Sequence, residues 1–278
     1  MQALLSNSQV DKLGERLKNN AQITETDLRM LDAYRQTFSK AYEFVMKSIS
    51  NVPHLKPSGR DAKSTMAIID KLRRESIRLT QIQDIAGCRV VVKDIEAQEK
   101  LVQFLCYMFQ LTSENIKDRR IYPSHGYRAV HLIVFVDGKS IEIQVRTELQ
   151  HQWAVFSEKV SDDFGSNIKY GNGIPSLLNI LNIYSSGINQ VESIELEKFM
   201  FTNFRKVSAD FIKTVLCTEQ LTDEIRNAHI EFIKIIDEIK SHRSGVFQKI
   251  DEVKIKLSKI FEETSLKLKE VKKNDLFD

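Results

Sequence analysis

Two apolar runs flank Asp137-Gly138 in the stretch HGYRAVHLIVFVDGKSIEIQVRT, residues 125–147. Asp-Gly favours a tight hairpin turn, and alternation with a period of two on either side predicts two antiparallel strands. Successive strand residues face opposite sides, so Ile141, Ile143 and Val145 point one way and Glu142, Gln144 and Arg146 the other. With a loop of two or four residues, odd positions of the first strand lie opposite even positions of the second. His131 and Tyr127 then join the Glu142 face. An acid, an amide, a guanidinium, an imidazole and a phenol ring would share one surface. Antiparallel sheets often keep one wet face, but this face carries more chemistry than wetting requires.

The surrounding segments give the hairpin its setting. Thr24, with Asp27 three residues on, predicts a capped helix over 24–50, with Leu28, Leu31, Tyr34, Phe38, Ala41, Val45 and Ile49 on its buried side. A break follows from Asn51 through Gly59. A second helix is expected from Arg60 to Arg78, burying Met66, Ile69 and Leu72. GCRVVVKD (87–94) reads as a β-branched strand, 95–110 as a crossover helix, and ELQHQWAVFSEKV as a helix after the hairpin. The glycines and proline of KYGNGIPS (169–176) mark the best internal boundary. Beyond it everything reads as helix. Ile250, Val253, Leu257, Ile260, Thr264, Leu268 and Val271 form an apolar stripe, read as a helix packing on its own domain. An intermolecular coiled coil, and with it a homo-oligomer, is the sharper alternative, but the heptads are too few to demand it. The expected division is a helical region over 1–54 packing on a core over 55–170, then a helical region over 171–278 that regulates or oligomerises.

Two further segments suggest what the polar face holds. Arg60, Lys63, Lys71, Arg74 and Arg78 recur every three or four residues with few acids among them, a basic stripe that would repel itself unless it met an anion. Polyphosphate is a natural candidate. Asp84 stands just before the strand in QDIAGCRVVV, a common place for a magnesium ligand. Mg²⁺ takes one or two protein carboxylates together with substrate phosphates, and Asp84 and Glu142 could supply that pair. Cations, two carboxylates and an aromatic platform together suit nucleotidyl or phosphoryl transfer.

Bulk properties agree. Hydrophobic residues are 42% and charged residues 28% of the 278, as in a soluble globular protein, and the net charge of +3 is compatible with an anionic partner. The three cysteines, Cys88, Cys106 and Cys217, are scattered, which favours a reducing compartment over a disulfide or zinc framework. The N-terminus shows no apolar signal core and no run reaches the roughly 18 residues of a membrane span, so the cytoplasm is the expected location.

The motifs GRDAKSTMAIIDKL, DIAGCRVVV, GYRAVHLIV and EIQVRTELQHQWA, in this order and spacing, resemble the RelA/SpoT synthetase domain over about residues 55–165. The resemblance implies an α+β fold, a nucleotidyltransferase-like mixed β-sheet with flanking helices, followed here by the all-helical C-terminal region. It implies transfer of a pyrophosphate group from ATP to a 3′-hydroxyl. Arg60, Lys63 and Lys71 would hold the ATP phosphates, with Arg74, Arg89 and Ser64 near them. Asp84 would bind Mg²⁺, and Glu142 would bind metal or activate the attacking hydroxyl. Tyr127 would stack on the acceptor base, while His131, Gln144 and Arg146 orient acceptor and phosphates. None of the six histidines has an adjacent Asp, so a synthetase without the hydrolase half is expected.

The sequence departs from the pattern at YPSHGYR, where Ser124 and His125 stand in place of a lysine that grips the 5′-phosphates of GDP or GTP in alarmone-making members. Together with the short loop and the LQHQWA motif, this resembles toxic small members that pyrophosphorylate the 3′ CCA end of tRNA, as translation-stopping toxins or phage-defence effectors. Arg119, Arg120 and Arg128 would serve either acceptor. Three readings stay open: a tRNA-directed enzyme, an alarmone synthetase using guanine or adenine nucleotides, and a non-catalytic RNA- or ribosome-binding module. The last conflicts with the retention of both carboxylates. A toxin also needs neutralising, by a separate antitoxin or by its own C-terminal region.

Overall fold

The computed structural model describes residues 5–19, 22–165, 167–215 and 223–274. They form two compact units, one of the described residues within 1–92, 100–122 and 129–146, the other of those within 93–99, 123–128 and 147–278. The division does not follow the boundaries expected near 54 and 170. The helix after the hairpin goes with the C-terminal helices, because its apolar side packs among them.

In the first unit, α1 (Asn7–Asn19) buries Val10, Leu13 and Leu17. The expected capping box opens α2 (Glu25–Gln36): the Thr24 side chain accepts from the Asp27 amide, and Asp27 returns the bond to Thr24. The predicted single helix over 24–50 is in fact two. The Thr37 hydroxyl donates to the Tyr34 carbonyl (2.6 Å) and the Phe38 amide to Arg35 (2.9 Å), which tightens the turn before α3 (Ser39–Ser50). The apolar face survives the break, since Leu31, Tyr34, Phe38, Ala41, Val45 and Ile49 are all buried, although Leu28 is exposed.

The helix expected from Arg60 to Arg78 shrinks to α4 (Thr65–Arg74), started by Ser64, whose hydroxyl accepts from the Ala67 amide (3.3 Å). Arg60 ends a short strand, β1 (Ser58–Arg60), and Arg78 precedes a 3₁₀ turn at Leu79–Gln81. The basic residues therefore do not ride one helix. Ile68, Ile69 and Leu72 form the buried side of α4, while Met66 points to solvent.

β2 (Ala86–Val92), α5 (Ile95–Met108), β3 (Ile116–Asp118), β4 (Val130–Val136) and β5 (Lys139–Thr147) follow. The sheet order is β1-β2-β5-β4-β3. The β1–β2, β3–β4 and β4–β5 pairings are antiparallel, and the sheet as a whole is mixed. Asp137 and Gly138 both adopt positive φ (48° and 72°), which gives the two-residue turn that sets the register. His131 then lies opposite Gln144 and Ile133 opposite Glu142. Ile141, Ile143 and Val145 enter the same core as Val130, Leu132, Cys88, Val90 and Leu72. By strand alternation, Glu142, Gln144 and Arg146 take the other face with His131, and Gly87 and Arg89 of β2 join them.

The second unit is built on α6 (Glu148–Phe164), α7 (Pro175–Val215) and α8 (Asp223–Asn274). Its core gathers Leu149, Trp153, Phe156, Val160, Leu181, Ile188, Val191, Ile250 and Phe261. Phe261 meets the Tyr184 ring edge-on at 5.1 Å, and the Tyr184 hydroxyl lies 2.6 Å from that of Thr264. The α8 stripe is shifted from the expected one. Ile250, Leu257 and Leu268 face inward with Phe247 and Phe261, whereas Val253 and Ile260 are exposed. Three-residue steps from 250 and 257 carry those two off the inward face, while four-residue steps reach Lys254 and Phe261. The Val271 side chain and Cys217 lie outside the described residues. Among the described residues, no helix is long and apolar enough to cross a membrane.

Candidate active site

Gly59 and Gly87 allow the strands of the first unit to close around Glu142. A Cβ at Gly59 would come within 2.6 Å of the Gly87 carbonyl oxygen, and one at Gly87 within 2.7 Å of the Glu142 carbonyl oxygen. Between β1 and α4, the Lys63 amide donates to the Ile85 carbonyl (2.7 Å), which brings Lys63 beside Asp84 at the entrance to β2. The two Asp84 oxygens are each taken by an ammonium, Lys63 at 2.5 Å and Lys71 of α4 at 2.9 Å. Burial works to raise the Asp84 carboxyl, but the two lysine charges and their hydrogen bonds outweigh it and hold it at about 2. The self-repelling basic stripe expected from sequence thus finds anions within the protein: Asp84 for Lys63 and Lys71, Glu75 for Arg74, and Asp11 near Arg78.

Glu142 anchors the second half. His131 Nδ1 lies 2.8 Å from one of its oxygens, and the Gln144 amide donates to the other at 2.7 Å. Arg146 donates in turn to the Gln144 side-chain oxygen Oε1 at 2.7 Å. Alternate residues of one strand therefore form a chain, Arg146 to Gln144 to Glu142, closed by His131 from the paired strand. Burial pushes the Glu142 carboxyl up. The His131 hydrogen bond and charge overcome it, with a smaller contribution from Gln144, so the carboxyl lies below its ordinary value. The charge of Asp84 acts on it in the opposite sense, so the two carboxylates feel each other. Glu142 also adds to the burial that pushes the Cys88 thiol up to about 12, which leaves that cysteine inert.

These residues bring together Lys63, Lys71, Asp84, His131, Glu142, Gln144 and Arg146. The other expected residues are placed less centrally. Arg60 is exposed on β1, Arg89 lies opposite Ser58 on β2, and Arg74 reaches Glu75 (3.2 Å) at the end of α4. The Ser64 hydroxyl caps α4. Tyr127 is not on β4, as the alternation suggested. It closes a turn with Ser124 and packs partly buried against the core of the second unit. Arg128 is buried in that unit and engaged by Glu192 and Asn189, and Arg120 folds back on Asp118 (2.6 Å). Lys117 was not foreseen. It sits opposite His131 on the same sheet face and donates to Gln83, the neighbour of Asp84, at 2.6 Å. Its strand has only three residues and no apolar alternation, so the sequence carried no signal for it.

No group of three or more His, Cys, Asp or Glu among the described residues is arranged to hold a metal ion. The donor set fits a cation that needs few protein ligands. Asp84 and Glu142 are both held ionised, and an ionised carboxylate has about four acceptor positions, only some of them used here.

Comparison with known proteins covers the same stretch. Residues 60–161 match the region found in RelA / SpoT proteins. An uncharacterized protein of Mycobacterium tuberculosis is 38% identical over 111 residues, 39% of this chain and 41% of that one. The GTP pyrophosphokinase YjbM of Bacillus subtilis is 31% identical over 128 residues, 41% of this chain and 56% of that one. The chain thus spans from two fifths to just over half of these relatives' length. The crystal structure of small alarmone synthetase 1 from Bacillus subtilis superposes with a TM-score of 0.47 at 23% identity, over 64% of this chain and 97% of that one. The matched interval, residues 60–161, contains both carboxylates, both clasping lysines and the whole hairpin, so it is over these residues that the chain is similar to RelA / SpoT proteins.

Proposed function

We propose that the chain is a pyrophosphokinase that transfers the β- and γ-phosphates of ATP as one group to a 3′-hydroxyl. The carrying observation is the pair of ionised carboxylates, Asp84 and Glu142, set among Lys63, Lys71, His131 and Arg146. In this reaction the acceptor oxygen bonds to the β-phosphorus, the bond from that phosphorus to the α,β-bridging oxygen breaks, AMP leaves with the electron pair, and the hydroxyl proton passes to solvent. Such a transfer needs alignment and charge neutralisation more than covalent help. Lys63 and Lys71 exchange Asp84 for the phosphates, and Arg60, Arg74 and Arg89 add cationic charge around them. The N-terminus of α4 behind Ser64 offers backbone N–H groups to an anion.

Asp84 and Glu142 would hold Mg²⁺, which when bound supplies charge neutralisation on the phosphates. Glu142 lies below its ordinary value and is therefore a weak base, whereas a general base works best near the operating pH. Its charge, rather than proton abstraction, is the role this setting favours, with His131 and Gln144 fixing its orientation. Tyr127 stacks on the acceptor base.

The favoured acceptor is the 3′ end of tRNA, because the loop before Tyr127 carries Ser124 and His125 and no lysine for a 5′-diphosphate. A guanine nucleotide is the second reading, supported by the likeness to a GTP pyrophosphokinase and by Lys117 on the sheet face. ATP labelled at the γ-phosphate, incubated separately with deacylated tRNA, GDP, GTP and AMP, tests both. Label in tRNA alone supports the first, label in a guanine nucleotide the second, and label in none with RNA bound would show a non-catalytic binding module.

A further inference from the structure

The loop 123–128 belongs to the second unit, and α7 grips it residue by residue. The Ser185 hydroxyl donates to the Gly126 carbonyl oxygen at 2.7 Å. The Arg128 guanidinium donates to the Asn189 side-chain oxygen Oδ1 at 2.6 Å and to Glu192 at 3.3 Å. Positions 185, 189 and 192 are four and three apart, one face of a helix. Behind them the second Glu192 oxygen is held by Thr147 (3.0 Å) and Gln150 (2.6 Å), both at the start of α6. Trp153 donates to the Leu181 carbonyl at 2.9 Å, which pins α7 against α6 one turn earlier. The loop leaves no slack in this grip. Gly126 has φ +86°, and a Cβ there would lie 2.8 Å from the Trp153 ring and 3.2 Å from Ser185. On the far side, the His125 ring fills the space over Gly171.

We infer that Ser185, Asn189 and Glu192 of α7 are positioning residues for acceptor recognition, acting through the Gly126-Tyr127-Arg128 loop. This rests on the proposed role of Tyr127 and extends it: the first helix of the C-terminal region is part of the acceptor-binding apparatus rather than an appendage. Tyr127 sits between the two gripped residues. Its backbone is fixed through the carbonyl before it and the guanidinium after it, so its ring inherits the position of α7.

Asn189 gives the cleanest test, because its position on α7 is exposed and its loss leaves the Glu192 pair intact. Deacylated tRNA and GTP serve as acceptors in separate reactions at saturating ATP. Asn189→Ala should raise the acceptor KM about tenfold, the effect of losing one charge-assisted hydrogen bond. ATP KM and melting temperature should be unchanged. Asn189→Asp, which keeps the accepting oxygen, should restore the acceptor KM. Ser185→Ala should shift it in the same direction by less. A lowered melting temperature with a normal acceptor KM in the folded fraction would reduce α7 to a structural role and overturn the inference. Tyr127→Ala run alongside separates the two levels. If Tyr127→Ala raises the acceptor KM and Asn189→Ala does not, the positioning role fails while the stacking role stands. If neither raises it, the loop does not recognise the acceptor and both fail.

Discussion

Each unit buries an acid among cations and amides, and the two clusters behave in opposite ways. In the first, Asp84 and Glu142 are both held below their ordinary values, Asp84 by two lysines and Glu142 by His131 and Gln144. In the second, Glu192 is 4% exposed and receives Thr147, Gln150 and Arg128, yet burial outweighs those partners and raises its carboxyl. The difference lies in exposure to solvent and in how many charged partners each acid has. Asp84 and Glu142 keep side-chain exposures of 18% and 13%. Glu192 is a closed knot in which one acid meets one guanidinium and the remaining bonds come from neutral groups. The first cluster, proposed above to take phosphates, keeps its carboxylates ionised, whereas the Glu192 cluster, which fixes a loop, is closed to water.

The largest expected effect breaks the closed cluster. Glu192→Ala leaves the Arg128 guanidinium buried without its counter-charge, which typically costs about 3–5 kcal/mol. Thermal unfolding should show a fall of many degrees. A melting temperature near wild type would mean that water already reaches this network and that the contrast between the clusters is false.

Glu142→Gln breaks the open cluster instead. It preserves shape and removes the charge, so kcat should fall at least about a hundredfold, the size of losing one electrostatic contribution to the transition state, equivalent to about 2.7 kcal/mol. Melting temperature and ATP binding by calorimetry should change little. Undiminished turnover would remove Glu142 from the mechanism.

Acid sharpens the comparison by titrating one side of it. The Asp84 carboxyl is lowered from 3.8 to about 2 in the folded protein, so it contributes stability above its unfolded value and loses it as pH falls towards its folded value. The shift corresponds to about 2 kcal/mol. Urea unfolding of wild type and Asp84→Asn should therefore differ at about pH 5 and converge towards about pH 2. A constant difference across that range would show that Lys63 and Lys71 do not hold the charged form.

The hairpin and its register were legible because they depend on local signals: a turn dipeptide with positive φ and an alternation that leaves one choice of faces. The capping box at Thr24 was legible for the same reason. Arg60 was misplaced because Ser-Gly-Arg is a strand only through its pairing with β2, where Gly59 opposes Cys88, and nothing in three such residues announces it. Lys117 was missed on the same ground. The clasp of Lys63 and Lys71 on Asp84 joins residues 21 and 13 positions apart, close enough for their shared chemistry to be guessed but not their pairing. Arg128 meets Glu192 across 64 positions, and no periodicity spans that distance. Its basic character pointed to a ligand, and only packing shows that an acid of the same chain occupies it.

Tyr127 stands in sequence between residues of the two kinds of cluster, one residue before Arg128 and four before His131. If its ring stacks on an acceptor base, Tyr127→Ala should weaken the acceptor interaction by about 1 kcal/mol, the low end of the usual 1–3 kcal/mol for aromatic–base stacking. The low end is expected because the ring is already partly buried against the core of the second unit, so less of its surface remains for a base. Tyr127→Phe should lose far less, since the ring carries the effect and the hydroxyl does not. ATP KM should be spared in both variants. Were Tyr127 a packing residue only, Tyr127→Ala would lower the melting temperature by several degrees, and activity would fall only with the folded fraction. Measuring acceptor KM and melting temperature on the same preparation separates the outcomes: a destabilised protein with a normal acceptor KM places Tyr127 with Glu192 among the groups that build the unit, and an intact protein with a raised acceptor KM places it with Glu142 among those that meet the substrate.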